Sequence, residues 1–273
     1  MRSTVHAATV DFIERSLHTD LRLDRVAARA GYSPYHFHRS FRRTFGLALH
    51  AYIRRRRLTE AARALVATSE PIIDIAMRHG FSGQQSFTNA FSANYGTPPA
   101  TWRRAQRFFP LLLPYRFDES EWQLGRAGGD LDVTDRAGVD LLLPLSLAAV
   151  DMLPALDVEQ HTGALGRQVD ARQVLFAHRN GRGAAAMIVD SVTGHIEYLA
   201  VHPLVRASSV LPSLLRAARD HPRLSITTFR EGDRADLGHR RALLRLGFRP
   251  APLRVEFGYP TQLLEFEPSG ASL

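Results

Sequence analysis

Cysteine and lysine are both absent from this 273-residue chain. Without cysteine there can be no disulfide, no thiolate metal site and no cysteine nucleophile. All 35 basic side chains are therefore Arg, whose planar fork grips guanine and phosphate bidentately. No apolar run approaches the ~18 residues of a membrane-spanning helix. The opening MRSTVHAATVDFIERS contains acids and no small-residue cleavage site, so it does not read as a signal peptide. The twelve His residues lack His-Glu-x-x-His spacing. No metal and no membrane contact is expected, and the expected location is the cytoplasm.

The formal charge of +8 is unevenly placed. Residues 1–107 hold seventeen Arg against seven acids, a net +10, whereas residues 108–273 hold eighteen Arg against twenty acids, a net −2. A polyanion partner is therefore expected for the first part alone.

That first part repeats itself. Val26, Ala27, Gly31 and Tyr32 match Ile75, Ala76, Gly80 and Phe81 at an offset of 49. Phe37, Phe41, Phe45 and Gly46 match Phe87, Phe91, Tyr95 and Gly96 at an offset of 50, so one residue is inserted in the second turn. Each copy reads as helix, tight turn, helix. Gly31 and Gly80 supply the turns, and Ser33 and Ser82 stand where a cap would start the next helix. Phe37, Phe41 and Phe45 recur every fourth residue and form a core-facing stripe. Tyr35, Arg39 and Arg42 point the opposite way, flanked by His38 and Arg43. The second copy carries Gln84, Gln85, Thr88, Asn89 and Ser92 on that front, neutral groups of the kind that read base edges.

Between the copies, ALHAYIRRRRLTEAARALVAT has no Gly or Pro and strong helix propensity. About twenty helical residues span roughly 30 Å, close to the ~34 Å between major-groove entries on one face of DNA. The tract Arg54–Arg57 covers every side of such a helix, so its members cannot all touch DNA. It reads either as a solvated face with one buried ion pair, or as one or two phosphate contacts, with Arg54 the candidate. Ser33 and Ser82 are the other candidate phosphate contacts.

The pattern VAARAGYSPYHFHRSFRRTFG, then RRLTEAARALV, then IIDIAMRHGFSGQQSFTNAFSANYGTPPATWRR resembles the AraC/XylS family of transcription regulators over residues 5–104. The resemblance implies seven helices and two recognition helices in adjacent major grooves. It implies base reading by Tyr35 and Arg39 from the first and by Gln84, Gln85 and Thr88 from the second. Family members with strong second-helix contacts often carry Arg where this chain has Asn89, so the first helix is expected to supply more of the affinity.

After Arg107, a stretch with Pro110, Pro114 and a Gly pair reads as a linker, 108–128, whose apolar part packs on a domain surface. From residue 129 to 268 strands and helices alternate, which predicts an α/β domain around a mixed sheet. The chain is thus expected to be multidomain, an all-α N-terminal domain (1–107) with two helix-turn-helix units followed by the α/β domain.

IEYLAVHPLVRASSVLPSLLRAA, followed later by RRALLRLGF, resembles the GNAT acyltransferase fold. That family uses a Gly-rich turn to bring backbone N–H groups to the coenzyme A pyrophosphate. Here the turn keeps Arg206, but Ala207, Ser209 and Leu211 stand at the glycine positions. Asp236 stands for the usual Asn, and Leu243 for the Tyr that protonates the leaving thiolate. The implied role is a sensor or dimerisation module with no catalytic residue and no cofactor, its candidate ligand contacts being Glu197, Arg206, Ser208 and Ser209. Glu197 also reads as a possible general base, but its period-2 partners His195, Leu199 and Val201 place it on a core-sharing face.

The expected function is a sequence-specific, double-stranded-DNA-binding regulator that works with RNA polymerase and responds to a small-molecule effector. The alternative is a DNA-tethered N-acyltransferase using acetyl-CoA or another acyl-CoA. Alkyl-transfer repair needs Cys acceptors and is excluded. Oligomeric state stays open, because one chain already carries two reading heads.

Overall fold

Aromatic side chains at fourfold spacing need a surface to bury against, and in the N-terminal unit that surface is a long central helix. The computed structural model describes residues 2–125, 131–153, 156–206, 210–256 and 259–267, and divides the chain into two units, 1–122 and 123–273. Unit 1 contains α1 (Arg2–Arg15), α2 (Leu23–Arg29), α3 (Pro34–Phe45), α4 (Leu49–Ala67), α5 (Ile72–Arg78), α6 (Gln84–Tyr95) and α7 (Pro99–Ala105). Helix α8 (Glu119–Leu124) lies at its end.

Phe37, Phe41 and Phe45 are fully buried, as are Phe87 and Phe91. Phe41 meets Tyr52 of α4 edge-on at 5.9 Å, and Phe91 meets Trp102 of α7 at 5.6 Å. Each buried Phe stabilises the fold by about 1.5–3 kcal/mol. Gly31 (φ +72°) and Gly80 (φ +74°) make the two turns, a left-handed conformation that costs an L side chain about 1–2 kcal/mol.

The stretch expected as a linker belongs to unit 1 as far as Trp122. The buried hydroxyl of Thr59 accepts from the N–H groups of Leu111 (3.1 Å) and Leu112 (3.3 Å), and Tyr52 Oη accepts from Tyr115 N–H at 3.3 Å. Tyr115 stacks on Phe45 at 5.3 Å, and Trp122 meets Phe45 edge-on at 5.9 Å. A strap without regular structure is held because its backbone groups find side-chain partners on α4.

Unit 2 contains β1 (Asp132–Thr134), α9 (Val139–Ala148), α10 (Val158–Ala171), β2 (Gln173–Arg179), β3 (Arg182–Val189), β4 (His195–Val201), α11 (Val210–Ala217), β5 (Leu224–Phe229), α12 (His239–Arg245), β6 (Arg249–Glu256) and β7 (Tyr259–Phe266). The sheet order is β1-β2-β3-β4-β5-β7-β6, with β4·β5 the parallel pair and the others antiparallel. Both faces are covered. On β3, Ala185, Met187 and Val189 join a core with α11 and α12, whereas Ala186 and Ile188 join one with α9 and α10. Among the described residues no helix is long and apolar enough to cross a membrane.

Helix α10 is only weakly marked in the sequence. Gly163 and Gly166 lie within it, each lowering helix propensity by about 1 kcal/mol relative to Ala. Its Asp157 cap, accepting from Gln160 N–H at 3.1 Å, was the available signal.

Candidate nucleic-acid interface

Helix α3 starts because Ser33 caps it, its hydroxyl accepting from His36 N–H at 3.4 Å, and because Pro34 fits the first turn. With the Phe stripe buried, Tyr35, Arg39, Arg42 and Arg43 are exposed, Tyr35 to 70%, and His38 is half-buried. Arg39 Nη1 donates to Tyr35 Oη at 3.1 Å, and its guanidinium carbon lies 5.4 Å from the Tyr35 ring centre. The two side chains, one turn apart, therefore form a single exposed unit with a cationic donor and an aromatic face.

Helix α6 buries Phe87, Phe91 and Tyr95 at the matching positions and exposes Gln84, Gln85 and Asn89, with Thr88 half-buried. Gln85 Nε2 donates to Asn89 Oδ1 at 2.9 Å. The pair occupies the repeat positions of Tyr35 and Arg39, so both helices carry a joined side-chain pair at the same place on their fronts. The front of α3 is cationic, and that of α6 is neutral.

Ser82 is not the second cap. Residue Gly83 occupies the cap position of α6 with no side-chain bond, and Ser82 Oγ instead donates to Ser86 Oγ at 3.2 Å. The inserted residue moves the serine one place too early.

The Arg tract is more engaged than a solvated face would be. Arg54 is exposed, but Arg55 and Arg56 are buried and Arg57 is half-buried. Arg56 donates to Glu14 at 3.0 Å, Glu60 at 2.8 Å and the Leu112 carbonyl at 2.9 Å. Arg57 spends its guanidinium on the main-chain carbonyls of Leu17, Thr19 and Gly80. Burial lowers the pKa of Arg57, and the charge of Asp20 opposes that shift. Arg103, also outside the expected set, holds the carbonyls of Leu65 and Glu70. Sequence could not rank these arginines, because every named partner except Glu60 lies 23–56 positions away.

Of the ligand residues expected in unit 2, Glu197 and Arg206 are among the described residues. Arg206 makes a bidentate pair with Asp151, at 2.7 and 2.8 Å, and also donates to the Val201 carbonyl. His239 Nε2 lies 3.2 Å from the same carboxylate. Burial raises the Asp151 pKa, but the charge of Arg206 and the contact with His239 outweigh it and hold the group well below the usual carboxylate range. Asp236 caps α12, accepting from the N–H groups of Gly238 and His239, and Leu243 is buried in the core. Arg206, expected as a ligand contact, is thus engaged with a buried carboxylate of its own unit. Ser208 and Ser209 lie outside the described residues, as does Ala207.

The position of Glu197 also differs from expectation. Val189 pairs with Ile196 and Ile188 with Tyr198, so a bulge at Glu197 breaks the twofold alternation. Ile196, Leu199 and Val201 then share one face, while Glu197 is exposed and bonds Arg172 at 3.4 Å. A polar group deep in the other face was not foreseen. Ser146 Oγ lies 2.8 Å from Tyr198 Oη and 3.0 Å from His161 Nε2. Burial lowers the His161 pKa to about 4.

A helix-turn-helix domain family matches residues 26–105. Over 110 residues the chain is 44% identical to the transcriptional regulator Rob of Salmonella typhimurium, covering 40% of this chain and 38% of Rob. It is 40% identical over 100 residues to the multiple antibiotic resistance protein MarA of Escherichia coli K12, covering 37% of this chain and 78% of MarA. A GNAT-family structure from Desulfovibrio desulfuricans is similar at 17% identity and a TM-score of 0.41, covering 50% of this chain and 98% of that one. The chain thus spans little more than a third of Rob but most of MarA, and through residues 26–105 it belongs to the AraC family of helix-turn-helix DNA-binding transcription regulators.

Proposed function

We propose that unit 1 reads double-stranded DNA with two helix-turn-helix heads, α2–α3 and α5–α6, placed in successive major grooves. The observation that carries this reading is the doubled front. Equivalent positions of α3 and α6 expose joined polar pairs, Tyr35–Arg39 and Gln85–Asn89, over equivalent buried aromatic backs. The cationic head supplies most of the affinity and reads bases through Tyr35 and Arg39, and the neutral head reads bases by hydrogen bonding. In this reading Ser33 and Arg54 contact phosphate, and the exposure of Arg54 supports that role.

Unit 2, with its GNAT-like strand and helix order, acts in this reading as a non-catalytic sensor or protein-contact module. The commitment of Arg206 to Asp151 supports that role over acyl transfer. Any effector bound there biases DNA binding or RNA polymerase recruitment only through a difference in affinity between two states of the protein. The setting is the cytoplasm.

Selection of bound duplexes from a random pool, followed by footprinting, tests the DNA reading. Two protected segments one helical turn apart are expected. A single protected segment, or no preference for base order, overturns it. Calorimetry with acetyl-CoA tests the second module, and micromolar binding with turnover on an amine would replace the sensor by an enzyme.

A further inference from the structure

Arg57 joins the two halves of the DNA-binding unit. From the middle of α4 its Nε donates to the Leu17 carbonyl at 2.7 Å, Nη2 to Thr19 at 2.5 Å and Nη1 to Gly80 at 3.3 Å. Leu17 and Thr19 follow α1 and belong to the first half. Gly80 is the left-handed turn residue of the second helix pair, four positions before α6 begins. One planar group thus grips main chain on both sides of the linking helix.

The two turns differ in this respect. A Cβ added at Gly80 would lie 2.7 Å from the Arg57 guanidinium carbon, whereas one added at Gly31 would meet nothing within 4 Å. The apolar cluster on the second side of α4 does not provide the same tie. The cluster formed by Leu58, Leu65, Phe87 and Phe91 draws, among the described residues, no side chain from α1–α3. Apolar contact is non-directional and tolerates sliding, whereas hydrogen bonds from a fixed plane fix an angle. The strap at residues 111–115 ties the halves elsewhere, through Thr59 and Tyr52.

We infer that Arg57 is a positioning residue that sets the spacing and rotational phase at which α3 and α6 engage DNA, without touching a base. This rests on the two-head reading. One inserted base pair moves a half-site by about 3.4 Å and rotates it by roughly 34°. A unit whose heads are fixed to each other must reject that change, and a unit with loosened heads can follow it. Lysine cannot replace arginine here, because a compact ammonium lacks the fork that reaches carbonyls on both sides.

The test uses the full chain, the strongest duplex from the selection, and versions with one or two base pairs added or removed between the protected segments. The wild type should lose on the order of tenfold or more for one added base pair, the scale of a mismatched site. Arg57→Lys and Arg57→Ala should each flatten that profile by more than half on a logarithmic scale, with the salt dependence unchanged. Thermal unfolding accompanies each measurement, and if Arg57→Ala fails to fold, Arg57→Lys carries the comparison.

A steep profile retained by the folded variants overturns the inference. So does uniform weakening at every spacing with the salt slope less negative by about 1, which marks a phosphate contact. A wild type indifferent to spacing removes the two-head reading itself, and this inference with it.

Discussion

Helices α3 and α6 bury the same three aromatic positions, yet three arginines stand on the outer surface of α3 and no charged side chain stands on that of α6. The packing surfaces agree because a smaller side chain there would leave a cavity. The outer surfaces can differ because solvent accepts either chemistry. On the proposed reading the difference teaches a division of labour, with α3 contributing long-range attraction and some base reading, and α6 contributing short-range hydrogen bonding.

The largest expected effect tests the shared back. Phe41→Ala and Phe91→Ala should each cost about 3–5 kcal/mol of stability in denaturant unfolding. If one of them costs under about 1 kcal/mol, the two backs are not equivalent. Next is the divergence of the fronts. Arg39→Ala should weaken specific binding by about 1–3 kcal/mol and relax preference at one base pair. Asn89→Ala should cost less, about 1 kcal/mol or under. Equal losses for Arg39→Ala on cognate and random duplexes would make Arg39 a phosphate clamp.

The salt dependence sharpens the same contrast. About six neutralised phosphates give a log–log slope near −5. Replacing both Arg42 and Arg43 by Ala should make it less negative by about 2, and replacing Gln84 and Gln85 should leave it unchanged. A shift on the α6 side would contradict the division of labour. The smallest effect concerns the caps. Ser33→Ala should cost about 1 kcal/mol, and Gly83→Ser should add a few tenths. The backbone at Gly83 is extended (φ 162°) and a Cβ there meets nothing within 4 Å, so unfolding midpoints should move in opposite directions.

The repeat, its turns and its buried Phe stripe were legible in the sequence because each obeys a local period. Most strands of unit 2 were legible for the same reason. Helix α10 was not, because Gly163 and Gly166 interrupt its pattern. The face of Glu197 was misread because a single bulge reverses the alternation beyond it. The arginines of α4 share one side chain and one helix, and their fates depend on Glu14, Leu17 and Gly80, which only the folded chain brings near. The Asp151–Arg206 pair bridges 55 positions, beyond the reach of any spacing rule. For the exposed fronts of α3 and α6, then, sequence named the residues, and the structure added the Arg57 bonds to main chain on both sides of α4.

The hydroxyls of Thr59 and Tyr52 serve the strap rather than their own helix, and this bears on where the reading unit can be cut. A fragment stopped at residue 107 keeps every helix of the repeat. It would lose Leu111, Leu112, Tyr115 and Trp122, wet the aromatic rings of Phe45 and Tyr52, and leave the Arg56 guanidinium short of the Leu112 carbonyl. Such a piece would be soft and prone to clump, whereas one carried through Trp122 would keep its own lid.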